Sequence, residues 1–209
     1  MAYSEFTLRL LKERFGITAT DAENLFGDVP PLPASDFFHV LLRRHLPIVR
    51  GQGTEKVRSE MIIAPLLVEL REQTGHQVAV FSGVEMSVDP AQGLYGFCDF
   101  LVSRSPSLLA VTAPILTVVE AKREDLTAGV AQCIAEMYAA ALFNARDGEA
   151  REAIYGAVTS GTNWRFLRLR GLHAEADLQE YFIEDVDKIL GILHFMTQAE
   201  PVTPAPETP

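Results

Sequence analysis

Hydrophobic and polar positions along residues 54–198 alternate in a way that predicts both helices and strands. Residues 55–74 place apolar side chains at helical spacing, and Pro65 inside that pattern predicts a kink. Two more stretches, 127–144 and 178–196, predict helices. Runs of β-branched and aromatic residues predict strands at 77–88, 95–103, 116–122, 154–160 and 164–169. The order α-β-β-β-α-β-β-α predicts a mixed α/β domain.

The two ends of the chain break this pattern. Residues 1–50 predict a small helical N-terminal extension, with helices over 4–15 and 35–45 on either side of a Gly/Pro-rich loop. The Gly-Gln-Gly-Thr sequence at 51–54 predicts a flexible join to the main domain, which we assign to residues 51–198. Residues 199–209 contain four prolines and no hydrophobic periodicity, and they predict a disordered tail.

The composition is that of a globular protein. Of the 209 residues, 48% are hydrophobic and 22% are charged, which excludes an intrinsically disordered chain. Cys98 and Cys133 are too few for a disulfide framework and no signal-peptide pattern precedes them, so we expect a cytoplasmic location. The apolar stretch at 108–119 is interrupted by polar residues and a proline and is too short to span a bilayer, so we expect no membrane association.

The charge balance restricts the class of partner. The formal net charge is −10, and residues 51–150 carry thirteen acidic side chains against seven basic ones. A protein that binds the phosphate backbone usually presents positive charge. The charge therefore argues against tight, nonspecific binding of nucleic acid by this chain alone, and it directs attention to the acidic residues of the middle segment.

Two acidic side chains stand in predicted strands where a charge is costly. Asp99 interrupts the apolar strand at 95–103, and an unpaired buried carboxylate is strongly unfavourable. Glu120 comes two residues before Lys122, so strand alternation places both on one face. A hairpin would bring Asp99 beside Glu120, and a bound cation is the simplest way to keep both ionised. Taken singly, each residue also fits a salt-bridged strand end or a partnered buried acid.

Polar side chains on the predicted helices add further candidates. On a helical wheel, Glu60 falls on the face that should meet the sheet. A long ion pair with Arg71 is the alternative explanation for Glu60. Gln132 and Glu136 lie one turn apart on the helix at 127–144, where they either face a site or form a polar stripe.

The order of these residues resembles that of the PD-(D/E)XK superfamily of Mg²⁺-dependent nucleases, which have the restriction-endonuclease-like fold. An acid on a helix, an aspartate on a strand, Glu-x-Lys at the next strand end and a glutamine on the following helix occur here as Glu60, Asp99, Glu120 with Lys122, and Gln132. Residues 118–124 and 156–164 are especially similar to the N-terminal nuclease domain of type I restriction-enzyme R subunits. The resemblance covers residues 50–197.

Two positions depart from the superfamily pattern. Cys98 precedes Asp99 where a proline is common, although the superfamily is loose there. Related helicase-linked nucleases carry a glutamine followed four residues later by a tyrosine, whereas Gln132 is followed by Glu136, and Tyr138 comes two residues further on. The resemblance therefore extends to Gln132 and not to the tyrosine.

The resemblance implies a mixed central sheet flanked by helices, with an α-β-β-β-α-β core, and hydrolysis of phosphodiester bonds. It implies Asp99 and Glu120 as ligands of Mg²⁺ or Mn²⁺, which prefer oxygen ligands, and Glu60 as a catalytic residue that holds a second ion directly or through water. Lys122 would position the nucleophilic water or neutralise developing charge. Gln132 would orient water or a phosphate oxygen.

Candidate substrate contacts come from basic and aromatic residues. The segment 164–170 interleaves aromatic side chains with three arginines and places Trp164 and Arg168 on one face, a pattern that can bind a nucleic-acid backbone. Arg123 would add to a basic rim. A strand with core aromatics and solvated arginines is the alternative interpretation. We expect nucleic acid, DNA in particular, as a partner.

Three functions fit the sequence. The leading hypothesis is an Mg²⁺-dependent endonuclease-like protein. The second is a catalytically weak or inactive nuclease-fold protein that acts as a binding or regulatory module, which the acidity favours. An ordinary α/β interaction protein would explain each charged residue singly but not their order. The net charge predicts weak intrinsic activity, or a homodimer or partner protein that supplies the grip on DNA.

Overall fold

A mixed sheet of eight strands carries helices on both of its faces. The computed structural model describes residues 2–122 and 125–202. The strands are β1 (Thr18–Ala22), β2 (Ala79–Asp89), β3 (Leu94–Ser103), β4 (Ile115–Ala121), β5 (Ile154–Thr159), β6 (Asn163–Arg170), β7 (His173–Asp177) and β8 (Tyr181–Phe182). The helices are α1 (Leu8–Phe15), α2 (Asp36–Gln52), α3 (Glu55–Arg58), α4 (Ala64–Gln73), α5 (Leu126–Arg146) and α6 (Val186–Met196), and a π-helical turn, Ser59–Ile63, joins α3 to α4. Short 3₁₀ turns lie at Tyr3–Glu5, Pro90–Gln92 and Ile183–Asp185.

The strand order across the sheet is β1-β7-β6-β5-β4-β3-β2, and β8 pairs with β6. Strands β2, β3 and β4 form an antiparallel meander, and α5 then carries the chain across to β5, which runs parallel to β4. The pair β1–β7 is also parallel, whereas β5–β6 and β6–β7 are antiparallel. The predicted α/β class, with a mixed sheet flanked by helices, is confirmed.

Two hydrophobic cores lie on opposite faces of the sheet. One packs α2, α4 and α6 against it, and the other packs α1 and α5. Strand residues alternate between them, so that Val119 belongs to the first core and Val118 to the second. Among the described helices, α5 alone is long and apolar enough to cross a membrane by length and composition, and 56% of its most apolar window is buried inside the protein. Core helices meet the same criteria, so this composition does not by itself indicate a membrane span.

The first fifty residues are not a purely helical extension. They contain β1, which pairs with β7 at the edge of the central sheet, and α2 continues to Gln52. Strand β1 has almost no hydrophobic signal because most of its side chains are exposed. The predicted flexible join is a tight helix-to-helix turn instead. Gly53 caps α2 in the left-handed region at φ 63°, and the Thr54 side chain caps α3.

The predicted kink at Pro65 corresponds to the π-helical turn. Proline has no N–H and its ring crowds the carbonyl of the residue four positions earlier, here Met61. The Nδ1 atom of His45 on α2 lies 2.7 Å from that carbonyl oxygen and supplies the missing partner. The widened turn therefore keeps α3 and α4 in one continuous helical run.

The predicted C-terminal helix at 178–196 ends where expected, at Met196, but it begins only at Val186, because β8 and a 3₁₀ turn occupy the positions before it. The prediction that 199–202 belong to a disordered tail is wrong. Residues 199–202 are ordered against the segment before β5, since the N–H of Val202 donates to the carbonyl of Ala150 (3.0 Å) and Ala199 is buried. The remainder of the predicted tail, 203–209, lies outside the described residues.

Candidate metal and phosphodiester site

The end of the β3–β4 hairpin brings together the two carboxylates that lie on adjacent strands. The antiparallel ladder ends at the pair of Phe100 and Val119. One residue further, Oδ2 of Asp99 accepts a hydrogen bond from the backbone N–H of Ala121 at 2.8 Å, in place of a main-chain acceptor. Asp99 is close enough for its charge to act on Glu120. The predicted juxtaposition of the two acids is confirmed.

Glu120 is buried at this end of β4, and Lys122 neutralises it. Its side chain is only 3% exposed, and its Oε1 accepts a hydrogen bond from the Lys122 ammonium in an ion pair. Its other oxygen, Oε2, has no hydrogen-bond partner among the described residues. The backbone N–H of Lys122 donates to the carbonyl of Thr159 (2.8 Å), which holds this residue beside β5. The predicted common face of Glu120 and Lys122 is confirmed.

Helix α5 continues this contact into the protein interior. The Lys122 ammonium donates to Oε1 of Gln132 at 3.2 Å, and Nε2 of Gln132 donates to Oε1 of Glu136 at 3.0 Å. Glu136 is fully buried, and its Oε2 has no partner among the described residues. We call Glu120, Lys122, Gln132 and Glu136 the polar chain. It runs from the end of β4 along one face of α5.

Gly129 lets α5 approach Lys122 closely. A Cβ atom at this position would lie 2.6 Å from Cγ1 of Val158, 3.1 Å from Cγ of Lys122 and 3.2 Å from its Cε. The first distance is shorter than side chains tolerate, so any larger residue would displace the helix or the lysine. Glycine at this position therefore forms one wall of the space that the lysine stem occupies.

Burial controls the protonation of these acids. It raises the pKa of Glu120 to about 7, with the charge of Asp99 adding to the rise and Lys122 opposing it. Burial also raises the pKa of Asp99, against the hydrogen bond from Ala121, and together with the charge of Glu120 it raises the pKa of Glu136 well above its ordinary value. Burial acts to lower the pKa of Lys122, but the hydrogen bond and charge of Glu120 outweigh it and raise that pKa. The site therefore has more carboxylates than its one ammonium group can neutralise.

An open pocket of about 280 Å³ lies beside Asp99. Its wall is made by the middle of β2 and β3, the end of β4 and the start of the helical run. The lining residues are Glu55, Lys56, Ser59, Glu60, Ser82, Asp99 and Ala121. Glu120 is not part of this lining and lies behind it. The pocket is therefore polar and predominantly acidic.

Glu60 borders the pocket, but the prediction that it faces the sheet is wrong. Its side chain is 56% exposed and pairs with Lys56, 3.3 Å away, and not with Arg71. The π-helical turn that contains Glu60 has more residues per turn than an α-helix, which changes the phase assumed by the helical wheel. Ile62 and Ile63 occupy the buried face instead.

The donor set of the site consists of two carboxylates. Within residues 2–122 and 125–202, no group of three or more His, Cys, Asp or Glu side chains is placed to hold a metal ion. Glu60 therefore forms no such group with Asp99 and Glu120, and its role towards a second ion, directly or through water, stays a prediction. Mg²⁺ in proteins commonly keeps several waters and binds one or two carboxylates. The Asp99 and Glu120 carboxylates fit such an ion, and Oε2 of Glu120 has no other partner among the described residues.

The predicted substrate contacts on β6 are not part of this site. Trp164 is fully buried and its indole N–H donates to the carbonyl of Gly161 at 3.0 Å, so the prediction that it contacts substrate is wrong. Arg168 is engaged by Glu175 across the strand pair at 2.7 Å. The large aromatic side chain is core because this face of β6 packs under α6 and its neighbours. Arg123 lies outside the described residues.

Glu136 is a site residue that the sequence marked only as part of a polar stripe. Gln132 contacts Lys122 and Glu136 through the two ends of its amide, and its role towards water or a phosphate oxygen stays a prediction. The available signal was the spacing of Gly129, Gln132 and Glu136 along one face of an alanine-rich helix. Small neighbours on a polar stripe indicate that the stripe lies close to another element.

Comparison with known proteins adds no family assignment. No model of a known protein family matches the chain, and no curated protein matches it. The function has therefore to be inferred from the site, since a fold class alone does not specify an activity.

Proposed function

We propose that this protein is an Mg²⁺-dependent endonuclease-like phosphodiester hydrolase with a restriction-endonuclease-like core, related to the PD-(D/E)XK superfamily. The observation that carries the proposal is the meeting of Asp99, Glu120 and Lys122 at the end of the β3–β4 hairpin. Two acids and one base from a hairpin and its flank form a compact set with an adjoining open pocket.

Asp99 and Glu120 would hold the metal ion. Each has one oxygen that accepts no hydrogen bond from the described residues, since it is Oδ2 of Asp99 that accepts from Ala121 and Oε1 of Glu120 that accepts from Lys122. A bound Mg²⁺ would supply an activated water and electrostatic stabilisation of the phosphoryl oxygens. Binding also requires both carboxylates to be ionised, and a cation would oppose the burial that raises their pKa values.

Lys122 is the group best placed to act on the developing charge. An ammonium has three protons, and Glu120 and Gln132 take two of them. The third has no acceptor within residues 2–122 and 125–202, so it is available to a water molecule or a phosphate oxygen. The side chain is 25% exposed, so this proton is within reach of a substrate at the surface.

The surrounding charge indicates that the substrate needs further support. Glu55 and Glu60 line the pocket together with Asp99, and the chain carries a net charge of −10. Acidic walls repel a phosphate backbone except where cations neutralise them. We therefore propose DNA as the substrate. The isolated chain would bind it weakly, and a homodimer or a partner protein would supply additional contacts to the DNA. We further propose a cytoplasmic location.

A catalytically inactive binding or regulatory module on the same fold is the second candidate. The observation that favours it is the burial of Glu120 behind the pocket wall, with one oxygen occupied by Lys122. In such a protein the Lys122 ammonium would stay paired with Glu120, so that a cation bound at the site would give no turnover. The two candidates therefore differ in turnover.

The test combines cation binding with cleavage. Mg²⁺ and Mn²⁺ binding is measured by calorimetry on the wild type and on the Asp99→Asn, Glu120→Gln double variant, and cleavage is measured on plasmid, linear duplex and single-stranded DNA. Lys122→Ala is the catalytic variant, and Lys12→Ala on the exposed face of α1 is the charge-matched control. We expect cation binding that the double variant loses, and cleavage that Lys122→Ala loses and Lys12→Ala keeps.

The other outcomes separate the candidates. Binding without cleavage on any of the three substrates would contradict the nuclease and support the regulatory module. Absence of binding to both cations would contradict the metal site itself, and the buried acids would then have a structural role only.

A further inference from the structure

Glu136 has no role in the proposed reaction, although its position is unusual. It is fully buried, and one of its two carboxylate oxygens has no hydrogen-bond partner among the described residues. Its surroundings do not favour a charge, because burial first and the charge of Glu120 second raise the pKa of Glu136. An acid in such a place destabilises the fold relative to an apolar side chain of the same size.

Glu136 has a single contact that explains its presence. Among the described residues its one hydrogen-bond partner is Gln132, whose Nε2 lies 3.0 Å from Oε1 of Glu136. The opposite end of the same amide accepts from the Lys122 ammonium at 3.2 Å. Glu136 is therefore connected to Lys122 through one amide group.

The polarity of this connection is determined by its two ends. An ammonium only donates hydrogen bonds, and a glutamine amide has one donating and one accepting end. Rotating the Gln132 amide by half a turn would place its N–H₂ against the ammonium and its oxygen against Glu136. The first contact would be repulsive, and Oε1 of Glu136 would lose the donor that it has in the structure. Glu136 therefore favours the orientation in which Gln132 presents its oxygen to Lys122.

We propose that Glu136 is a positioning residue for Lys122: by accepting from Gln132 it holds the amide oxygen towards the ammonium, which keeps Lys122 against Glu120 with one proton left over. The catalytic consequence of this arrangement rests on the proposed function, whereas the placement of Lys122 does not. Gly129 completes the arrangement, because it lets the lysine stem lie against α5.

Three variants separate positioning from a structural role. Glu136→Gln keeps an accepting oxygen at the same place, so it should preserve the chain of contacts. Glu136→Met has a similar volume and no polar end, so it removes the contact while filling the space. Gln132→Leu interrupts the same connection at a partly exposed position on α5, where folding is little affected. Because Glu136→Met also removes a buried acid, we expect its melting temperature to be equal to or higher than that of the wild type.

The first readout is the reactivity of individual lysines and does not depend on cleavage. Full-length protein is treated at constant pH with a trace of an acylating reagent, and the rate at each lysine is followed by peptide mass spectrometry. Lys188 serves as the internal reference. Its ammonium donates to the backbone carbonyls of Phe26, Gly27 and Val29 and is not part of the polar chain. We expect Lys122 to react roughly tenfold faster in Glu136→Met and in Gln132→Leu, as for loss of one hydrogen bond to a charged group, and to be within about twofold of the wild type in Glu136→Gln.

A Lys122 rate that is unchanged in Glu136→Met would overturn the proposal, and so would a parallel rise at Lys188, which indicates general loosening. If Glu136→Met does not fold, Gln132→Leu and Glu136→Gln still give opposite expected rates. The double variant Gln132→Leu, Glu136→Met should react no faster than either single variant, because both remove one connection.

The second readout is cleavage with Mg²⁺. We expect Glu136→Met to lower kcat roughly tenfold with KM unchanged, and Glu136→Gln to restore it, since the substrate itself does not touch Glu136. A purely structural residue would instead change the amount of folded enzyme and leave kcat of the folded fraction unaltered. If the wild type does not cleave DNA, the proposed function fails, and the lysine rates alone decide whether Glu136 positions Lys122.

Discussion

Two regions of the molecule contain buried carboxylates that differ in how completely they are hydrogen-bonded. Asp177, at the end of β7, accepts hydrogen bonds from the backbone N–H groups of Phe26 and Gln179 and from the hydroxyl of Tyr181. Glu120 and Glu136, on the α5 side of the sheet, each leave one buried oxygen without a partner among the described residues. Both oxygens of Asp177 therefore accept hydrogen bonds, whereas Glu120 and Glu136 each have only one oxygen that does so among the described residues.

The two lysines of these regions differ in the same way. Lys188 donates to three backbone carbonyls and so uses all of its protons to hold the loop that follows β1. Lys122 uses two protons, and its third has no acceptor in the part of the chain that the structure describes. Satisfied polar groups stabilise a structure, whereas incompletely satisfied ones reduce stability. The proposed function would account for the unsatisfied groups of the polar chain, whereas the satisfied groups of the Asp177 region stabilise the fold.

Replacing Lys122 and Lys188 by methionine should give the largest difference between the two regions, in cleavage rate and in the free energy of unfolding. We expect Lys122→Met to lower the rate of metal-dependent cleavage by the folded fraction by about 10²- to 10³-fold, as for removal of one charge-stabilising donor. It should also lower the free energy of unfolding, because it leaves the buried Glu120 without its partner. We expect Lys188→Met to lower the free energy of unfolding by about 2–3 kcal/mol and to leave the cleavage rate of the folded fraction unchanged. Urea denaturation and cleavage assays at one temperature measure both, and equal effects on both quantities would remove the distinction.

The buried acids should differ next in stability. Asp177→Ala removes the acceptor of three hydrogen bonds, so we expect a loss of about 3 kcal/mol and a fall in Tm of roughly 6–12 °C. Glu136→Met should change the free energy of unfolding by less than about 1 kcal/mol or increase it. Thermal and urea denaturation of both variants measure this, and a loss for Glu136→Met as large as for Asp177→Ala would mean that both acids are structural.

The pH dependence of stability sharpens the comparison further. Burial raises the pKa of Glu120 from 4.5 to about 7, so over this interval the folded protein binds a proton that the unfolded chain has released. The free energy of unfolding of the metal-free protein should therefore fall as the pH rises through that window, and Glu136 acts in the same direction. Urea titrations across the window should give a flatter profile for Glu120→Gln and in saturating Mg²⁺. A profile that is identical in Glu120→Gln would contradict the assignment to Glu120.

The smallest expected difference concerns two glycines. Gly129→Ala brings a Cβ to 2.6 Å from Cγ1 of Val158 and close to the Lys122 stem, so we expect a loss of about 1–3 kcal/mol and reduced cleavage. Gly51→Ala, near the end of α2, meets no atom within 4 Å and should stabilise by up to about 1 kcal/mol. Denaturation midpoints test the pair, and equal stabilisation of both variants would show that α5 does not press on the lysine.

Prediction from the sequence succeeded where a segment carries its own periodicity. Strands β2 to β6 and helix α5 lie within about two residues of their predicted bounds, because each has a continuous apolar pattern of period 2 or 3.6. The same alternation placed Glu120 and Lys122 on one face. The weakly apolar strands β1 and β7 were missed, since strands that short are stable only when they are paired.

The part of the candidate site that was predicted correctly also depends on local sequence patterns. Asp99, Glu120 and Lys122 follow from strand alternation and a hairpin, and both are local properties. Glu60 was misplaced because a π-helical turn shifts the helical phase, and the π-helical turn depends on Pro65 and on His45 of another helix. Trp164 was assigned to a surface although the β6 face that bears it is covered.

The sequence by itself therefore determined which residues share a strand face or a helix face, because those relations follow from backbone geometry alone. Only the tertiary structure decided which faces lose contact with water and which side chains from distant segments meet. Glu136 illustrates this most directly: its spacing from Gln132 is readable in the chain, but its burial and its link to Lys122 exist only because α5 packs against β4 and β5 at Gly129. Desolvation depends on all neighbours at once, and that is a property of packing.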